Sequence, residues 1–291
     1  MERSSEANSE YLLDWQWFLP ITNERILFMK RNWSIIPEFE QREQFAILAE
    51  QYQTAFEYND FYVPSVYANE EEVERRIHGY RNLHRNRSDD TVHGVFLDNV
   101  PCSDDTVIAQ YSKMRMRQSM EIAQKLEVKG VVFHSALVPK VTNDAYIENW
   151  LQRQSEFFQQ LLEQFPSLYI YLENTQEENP MYLLRLKKRL QNYERFRFCL
   201  DYAHANISGT KTSHWIQEMK ENIGHMHIND NDGVADLHQV PGEGSIDWKK
   251  FEKETQDISN VSILIEIKGL ENQKRALKYL NADKQSSSLN A

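Results

Sequence analysis

Six short apolar segments of this chain each end in a side chain that can bind a metal ion. Because a single strand end cannot bind a metal alone, these side chains must converge in space. A closed parallel barrel brings them together, since the carboxyl ends of all its strands open at one mouth. The pattern therefore predicts an α/β barrel with a metal centre at that mouth. The six residues are His93 (TVHGVF), His134 (VVFHSA), Glu173 (YIYLENT), Asp201 (FCLDYAH), His227 (HMHIND) and Glu266 (ILIEIKG).

Short apolar runs alternate with longer segments of helical spacing along the whole chain, which is typical of βα units and a parallel sheet. Eight strands and eight helices in strict alternation predict a single (β/α)₈ TIM barrel. The strands are predicted from Arg25 to Met29, Thr54 to Tyr58, Thr91 to Leu97, Gly130 to His134, Leu168 to Glu173, Phe196 to Asp201, Gly224 to Asn229 and Ser262 to Ile267. The helices are predicted from Glu38 to Gln53, Glu70 to Leu83, Asp104 to Leu126, Asp144 to Phe165, Met181 to Tyr193, Ser213 to Lys220, Trp248 to Thr255 and Asn272 to Leu280.

The length of 291 residues suits one barrel domain, which typically takes about 250 residues. We expect the barrel to span residues 25–281, preceded by an extension at 1–24 and followed by a flexible tail at 282–291, which is rich in serine and polar residues.

Composition limits the classes of partner. A net charge of −11 implies no broad basic face for nucleic acid or an anionic membrane. The N-terminal segment has no apolar core typical of a secretory signal, and no apolar run approaches the roughly 18 residues of a membrane span. Two cysteines are too few for a disulfide framework, and Cys199 is most simply a small buried core residue. These features predict a cytoplasmic protein that does not bind membranes.

Imidazoles and carboxylates together suit zinc, manganese or iron, so the ligand types leave the metal open. Glu173 and Glu266 are individually the strongest candidates, because a carboxylate at the end of an apolar strand is costly unless it is paired or bound to metal. His225 and His227 share one strand face, and His227 lies nearer the rim, so we expect His227 to be the ligand and His225 to hydrogen-bond one layer deeper. Three more candidates follow in loops: His204, Asp236 and His238.

These motifs together resemble the xylose isomerase-like barrel superfamily, which includes sugar-phosphate isomerases and epimerases and the apurinic-site nuclease endonuclease IV. The resemblance runs from about Thr91 to Leu280, and the first ninety residues agree only in general layout. It is carried by HxxFLxN at His93, VVFHSA at His134, LENT at Glu173, LDxxH at Asp201, HMHINDND at His227, DLHxxPGEGSIDW at Asp236 and LIEI at Glu266.

The epimerase and isomerase members imply one metal on four ligands, which here are Glu173, Asp201, His227 and Glu266. In them the metal holds substrate oxygens while two glutamates exchange a proton with the carbon beside a carbonyl. By this resemblance Glu173 and Glu266 are the base and the acid, because one positioned carboxylate can remove the proton and the other can deliver it.

The endonuclease IV members imply three zinc ions on nine ligands, and the chain has a residue of the right type at each position. By this resemblance the first metal is held by His93, His134 and Glu173, the second by Glu173, Asp201, His227 and Glu266, and the third by His204, Asp236 and His238. Clustered metals of this kind serve phosphoester hydrolysis. The cofactor prediction is therefore one to three divalent ions of zinc, manganese or iron.

The residues around the mouth favour a small polyhydroxylated substrate over DNA. Leu237 stands where a nuclease would profit from an arginine, and the acidic stretch from Asn229 to Gly233 adds negative charge to the rim. We therefore predict a metal-dependent isomerase or epimerase of a sugar or sugar phosphate. The alternatives are an endonuclease IV-like multi-zinc phosphoesterase, acting on abasic-site DNA or a small phosphoester, and a barrel that binds sugar or metal without catalysis.

Candidate substrate-binding residues are His204, Phe96, Lys140 and Lys268, and Arg31 is a further candidate for holding a phosphate. Phe96 could stack on a sugar face. No glycine-rich phosphate loop appears, and PGEG at Pro241–Gly244 is better interpreted as a turn that aims the preceding ligand loop. The resemblance also implies a homodimer.

Overall fold

The computed structural model describes residues 31–281, which form a closed parallel barrel. The strands follow one another around the barrel in chain order, and β1 closes it by pairing with both β2 and β8. The eight strands in this part of the chain are β1 Asn32–Ile35, β2 Ala55–Tyr58, β3 Thr91–His93, β4 Gly130–His134, β5 Tyr169–Glu173, β6 Phe196–Asp201, β7 Ile223–Ile228 and β8 Ser262–Ile265. The predicted barrel is confirmed.

Helices surround the barrel, and each strand is followed by at least one of them. Several begin after an N-cap residue whose side-chain oxygen accepts a hydrogen bond from an amide of the first turn. Asp105 accepts from the amides of Val107 and Ile108, and Asn143 accepts from the amide of Tyr146. Within the described residues the α-helices are α1 Arg42–Tyr52, α2 Pro64–Tyr67, α3 Glu70–Arg81, α4 Thr106–Leu126, α5 Asp144–Gln164, α6 Met181–Arg189, α7 Tyr202–Ile207, α8 Thr212–Met219, α9 Trp248–Thr255 and α10 Leu270–Leu280. Short 3-10 helices lie at Phe39–Gln41, Asp60–Tyr62 and Lys220–Asn222.

The strand register brings the candidate ligands side by side. His134 on β4 is opposite Glu173 on β5, and Asp201 on β6 is opposite His227 on β7. Because alternate residues of a strand point to opposite faces, residues two positions earlier form the next layer of the same face. Cys199 is one of these: it is fully buried against Val132 and Tyr171, as predicted for a core residue.

The first strand was predicted wrongly. The run Arg25–Met29 lies outside the described residues, and the strand that closes the barrel is Asn32–Ile35. This strand was hard to recognise because Ser34, a polar residue, lies fully buried at its centre. The predicted boundary at residue 25, the extension 1–24 and the tail 282–291 also fall outside the described residues.

Two smaller differences affect the barrel mouth. Strand β3 ends at His93, so Phe96 lies in the loop that follows it and not in the strand. The short helices α2 and α7 were not predicted, because four and six residues are too few to show helical spacing. Helix α7 begins directly after Asp201, whose Oδ1 accepts a hydrogen bond of 2.6 Å from the amide of His204.

Among residues 31–281, no helix is both long enough and apolar enough to cross a membrane.

Candidate metal centre

The nine predicted ligands gather into three groups at the carboxyl end of the barrel. Within each group, one nitrogen or carboxylate oxygen per residue lies within 4.8 Å of the corresponding atom of every other member. Glu173 belongs to two groups and connects them. The groups are His93, His134 and Glu173; Glu173, Asp201, His227 and Glu266; and His204, Asp236 and His238.

The central group lies deepest. Glu173, Asp201 and His227 have no exposed surface, and Glu266 is 8% exposed. Nδ1 of His227 lies 3.4 Å from Oε1 of Glu173 and 3.3 Å from Oε2 of Glu266. Two ligands of a four-coordinate zinc, with bonds of about 2.0–2.1 Å, lie roughly 3.3 Å apart. The spacing is therefore that of atoms arranged around a shared cation.

The two outer groups have similar spacings. Oε2 of Glu173 lies 3.6 Å from Nε2 of His93 and 3.4 Å from Nε2 of His134. On the other side, Oδ2 of Asp236 lies 3.3 Å from Nε2 of His204 and 3.1 Å from Nε2 of His238. The last group is the most open, with the side chains of Asp236 and His238 37% and 40% exposed.

Three histidines direct one ring nitrogen to a backbone carbonyl and the other to a carboxylate. Nδ1 of His93, His204 and His238 lies 2.9, 2.9 and 2.8 Å from the carbonyl oxygens of Gly94, Asn174 and Glu266, respectively. Because a carbonyl only accepts, Nδ1 carries a proton, and Nε2 is the nitrogen that can bind a metal once its own proton is displaced. Such an arrangement prepares an imidazole to bind a metal.

Negative charge dominates the centre. Glu173, Asp201, Glu266 and Asp236 contribute four carboxylates, and both oxygens of Glu173 are buried without a hydrogen bond from the described residues. Taking carboxylates out of water is costly unless cations compensate them. The donor set and its unpaired oxygens therefore fit divalent metal ions held by these residues.

The pKa shifts reflect the same crowding. Burial raises the pKa of Asp201 to about 7 and lowers that of His134 to about 4, which keeps this imidazole neutral. Burial opposes the charged form of His238 as well, but Asp236 and Glu266 outweigh it and raise its pKa to about 10. Without a metal, protons on the imidazoles neutralise the carboxylates, and a metal would replace them.

One buried carboxylate, Asp230, holds the loop that carries Asp236 and His238. Asp230 accepts hydrogen bonds from the amides of Gly242 and Ile246 and from the indole nitrogen of Trp248, at 2.8–3.0 Å. The PGEG segment forms the turn that was inferred from the sequence. Gly244 is required there, because a Cβ at this position would lie 2.3 Å from Oδ1 of Asp230.

A cavity of about 880 Å³ opens above the three groups. Phe96 lines it and stacks on His134, with ring centroids 4.4 Å apart, while Tyr62 meets Phe96 edge-on at 4.8 Å. His204 and Lys268, two other candidate substrate-binding residues, also line the cavity.

Two other candidates lie elsewhere. Lys140 is exposed and is not among the residues that line the cavity. Arg31 precedes β1, at the opposite end of the barrel, where it pairs with Glu252 at 3.1 Å and donates to Thr255. The suggestion that Arg31 holds a phosphate at the mouth is therefore wrong.

Sequence reasoning missed Glu57, which lies fully buried on β2 within 3.2 Å of both His225 and His227. It also missed Asn174, whose side chain pairs with the backbone of Asp201. The expectation that His225 hydrogen-bonds below the ligand layer is confirmed, because its Nδ1 lies 2.6 Å from Oγ of Ser262.

A family model described as a xylose isomerase-like TIM barrel matches residues 49–282, which is most of the chain. The chain belongs to this family. The match includes the three ligand groups and seven of the eight strands.

Several solved structures are similar to this chain in fold. A D-tagatose 3-epimerase-like protein superposes with a TM-score of 0.72 at 19% identity, covering 89% of this chain and 99% of that one. A Thermus thermophilus protein soaked with ZnCl₂ gives a TM-score of 0.69 at 19% identity, covering 86% and 97%. D-psicose 3-epimerase of Clostridium cellulolyticum, solved with D-tagatose, gives 0.63 at 14% identity, covering 87% and 98%.

Curated relatives agree over shorter stretches. Two uncharacterized proteins of Methanocaldococcus jannaschii are 24% identical over 151 residues and 26% identical over 179 residues. These matches cover 51% and 57% of this chain and 59% and 60% of the relatives, so they span about three fifths of each relative's length.

Proposed function

We propose that this barrel is a divalent-metal-dependent isomerase or epimerase that acts on a sugar or sugar phosphate by proton transfer. The observation that carries the proposal is the central group of Glu173, Asp201, His227 and Glu266, which lies beneath a cavity large enough for a small sugar. A D-tagatose 3-epimerase-like protein and a D-psicose 3-epimerase among the structures of similar fold support it.

The four residues of the central group would hold the ion. When bound, a divalent cation would polarise a substrate carbonyl and so acidify the hydrogen on the adjacent carbon. The two outer groups leave room for one or two further ions, and the mixed ligands suit zinc, manganese or iron.

The glutamates would move the proton. Glu173 ends β5 and Glu266 follows β8, so the two carboxylates reach the mouth from strands three positions apart around the barrel. A substrate carbon between them would lose a proton to one carboxylate and receive one from the other. Removal of the proton from one face and delivery of a proton to the opposite face would invert the configuration of that carbon.

The cavity wall would orient the sugar. Phe96 offers a ring for the apolar face of a sugar, and Lys268 and Asn272 offer hydrogen-bond donors to hydroxyl groups. The amide of Gly269, just before α10, donates to Oε1 of Glu38 at 2.8 Å. Because a carboxylate already occupies this helix start, the mouth favours an unphosphorylated sugar or one whose phosphate lies elsewhere.

A multi-zinc phosphoesterase is the second candidate. It is favoured by the two outer groups, which add five residues to the central four and which proton transfer alone does not need. Clustered ions of this kind would clamp the attacking and leaving oxygens of a phosphoester.

The test compares the two reactions on one purified protein with its metal content measured by elemental analysis. Ketohexoses and aldose–ketose pairs are incubated in D₂O and followed by NMR. Bis-p-nitrophenyl phosphate and an abasic oligonucleotide report hydrolysis. We expect sugar interconversion with deuterium incorporated at one carbon, reduced at least roughly 100-fold in Glu173→Gln and Glu266→Gln.

The control is Glu43→Gln on the outer helix α1, where the side chain is 58% exposed and pairs with Arg42. This variant should keep the parent rate. Hydrolysis of either phosphoester by the parent, with no sugar interconverted, would overturn the proposal in favour of the second candidate.

A further inference from the structure

We propose that Glu57 is a positioning residue that fixes the orientation and tautomer of His227 beneath the metal centre. The inference rests on the metal centre of the proposed function and adds a residue that lies outside the three ligand groups. It is independent of which reaction the centre performs.

Glu57 lies on β2 with no exposed surface and faces two imidazoles. Its Oε1 lies 3.2 Å from Nε2 of His227, and its Oε2 lies 3.1 Å from Nε2 of His225. Oε2 also accepts a hydrogen bond of 2.7 Å from the hydroxyl of Thr91. A carboxylate in the barrel interior thus contacts three side chains on two other strands, β7 and β3.

One assignment of protons suits these contacts with neutral imidazoles, although Oε1 of Glu57 and Nε2 of His227 meet at ion-pair distance and outside hydrogen-bond geometry. An ionised carboxylate only accepts, so His225 and His227 carry their protons on Nε2. His225 can then accept from the hydroxyl of Ser262, which lies 2.6 Å from its Nδ1. His227 is left with a lone pair on Nδ1, the atom that lies 3.3 Å from Glu266 and 3.4 Å from Glu173.

His227 differs in this respect from three other candidate ligands. His93, His204 and His238 each direct Nδ1 to a backbone carbonyl and present Nε2 to a carboxylate of their own group. His227 is reversed, and Nε2, the ring nitrogen away from the centre, faces Glu57. For His227, the Glu57 carboxylate therefore replaces the backbone carbonyl that contacts the non-ligating nitrogen of the other three histidines. Its negative charge makes the imidazole of His227 a stronger metal ligand.

A purely structural role accounts poorly for a carboxylate at this position. The ion-pair partners of Glu57 among residues 31–281 are His225 and His227, and neither is a permanent cation. An isolated buried carboxylate is costly, whereas an apolar side chain could fill the same space. A divalent cation on the other side of His227 would compensate this charge.

The experiment measures zinc affinity by competition with a chromophoric chelator in Glu57→Gln. The amide can accept from one imidazole only and presents an N–H to the other, so the tautomer of His227 is no longer fixed. We expect zinc binding at the tightest site to weaken roughly 10- to 100-fold. The matched control is Glu177→Gln, another buried carboxylate, which contacts Ser135 and the amide of Thr175 and should change affinity less than about threefold.

A second measurement needs no variant. Nitrogen-15 NMR of the histidine rings of the zinc-loaded parent protein should find the proton of His227 on Nε2 and those of His93, His204 and His238 on Nδ1. Zinc bound through Nε2 of His227, with the proton on Nδ1, would overturn the inference even if Glu57→Gln does not fold.

The two proposals fail differently. A parent protein that binds no divalent metal refutes the proposed function. A parent that binds zinc tightly, with Glu57→Gln within threefold of it, refutes only the role of Glu57.

Discussion

The side chain of Asn174 hydrogen-bonds to both the backbone amide and the backbone carbonyl of Asp201. Its Nδ2 donates to the carbonyl of Asp201 at 3.0 Å, and its Oδ1 accepts from the amide of Asp201 at 2.8 Å. Both residues are buried at the ends of neighbouring strands, β5 and β6. This pairing sets where the Asp201 side chain enters the central group.

Replacing Asn174 should therefore affect stability and the metal centre together. Asn174→Ala removes the side-chain partner of the buried Asp201 amide, at about 1–3 kcal/mol, and one donor to the Asp201 carbonyl. We expect lower stability in urea unfolding and weaker metal binding. Asn174→Asp keeps the acceptor but turns a buried carboxylate oxygen towards the Asp201 carbonyl, so at neutral pH it should destabilise the protein at least as much. Equal stability of Asn174→Ala and the parent would contradict this prediction.

Asp230 should determine whether the group of His204, Asp236 and His238 can bind metal, although it contacts none of these residues. An amide in Asp230→Asn has one accepting oxygen where the carboxylate has two, so donors from Gly242, Ile246 and Trp248 compete for it. We expect the free energy of unfolding, measured in urea, to fall by about 2–3 kcal/mol. We also expect fewer metal ions per chain, because the same loop carries Asp236 and His238.

The control for this prediction is Asp232→Asn on the same loop. Asp232 is exposed, accepts from the amides of Val234 and Ala235, and takes no part in the contacts of Asp230 with Gly242, Ile246 and Trp248. This variant should change stability by less than about 1 kcal/mol and leave the metal count unaltered. A metal count in Asp230→Asn equal to that of the control would show that the loop does not depend on this carboxylate.

The sequence predicted polar site residues at the ends of strands better than those inside strands. A carboxylate or imidazole after an apolar run is visible, because nothing else in the run is polar, and Glu173 and Glu266 were found this way. Glu57 precedes the last residue of β2, and only the cost of burying it marks it as unusual. The same argument that selected Glu173 would have selected Glu57 if it had been applied inside the strands.

Contacts between distant residues explain the other misses. Asn174 follows Glu173 directly and was visible in the LENT motif, but its partner is the backbone of another strand. No spacing rule reports such a pair. The first strand was missed because Ser34 interrupts its apolar pattern, while the more apolar run Arg25–Met29 was chosen.

Both cysteines should be unreactive in the folded protein. Burial raises the pKa of Cys102 to about 12 and that of Cys199 well above its usual range. The thiolate is the reactive form, so at pH 8 each thiol stays protonated, and reactivity should rise only at much higher pH. We expect no labelling by iodoacetamide at pH 8 and two labels per chain in urea, counted by mass spectrometry. A label on Cys102 within minutes at pH 8 would contradict the burial.

Removing metal should destabilise the barrel. Glu173, Asp201 and Glu266 approach one another in the central group, and without a cation their repulsion is relieved only by protons on the imidazoles and on Asp201, whose pKa burial raises to about 7. An ion at 100 times its dissociation constant stabilises the folded state by about 2.7 kcal/mol. For a domain of this size that corresponds to a rise in Tm of roughly 5–10 °C over the protein in EDTA. Asp201→Asn removes one carboxylate from the group and should show a smaller rise. Identical melting of the parent protein in EDTA and in zinc would show that these carboxylates do not share a cation.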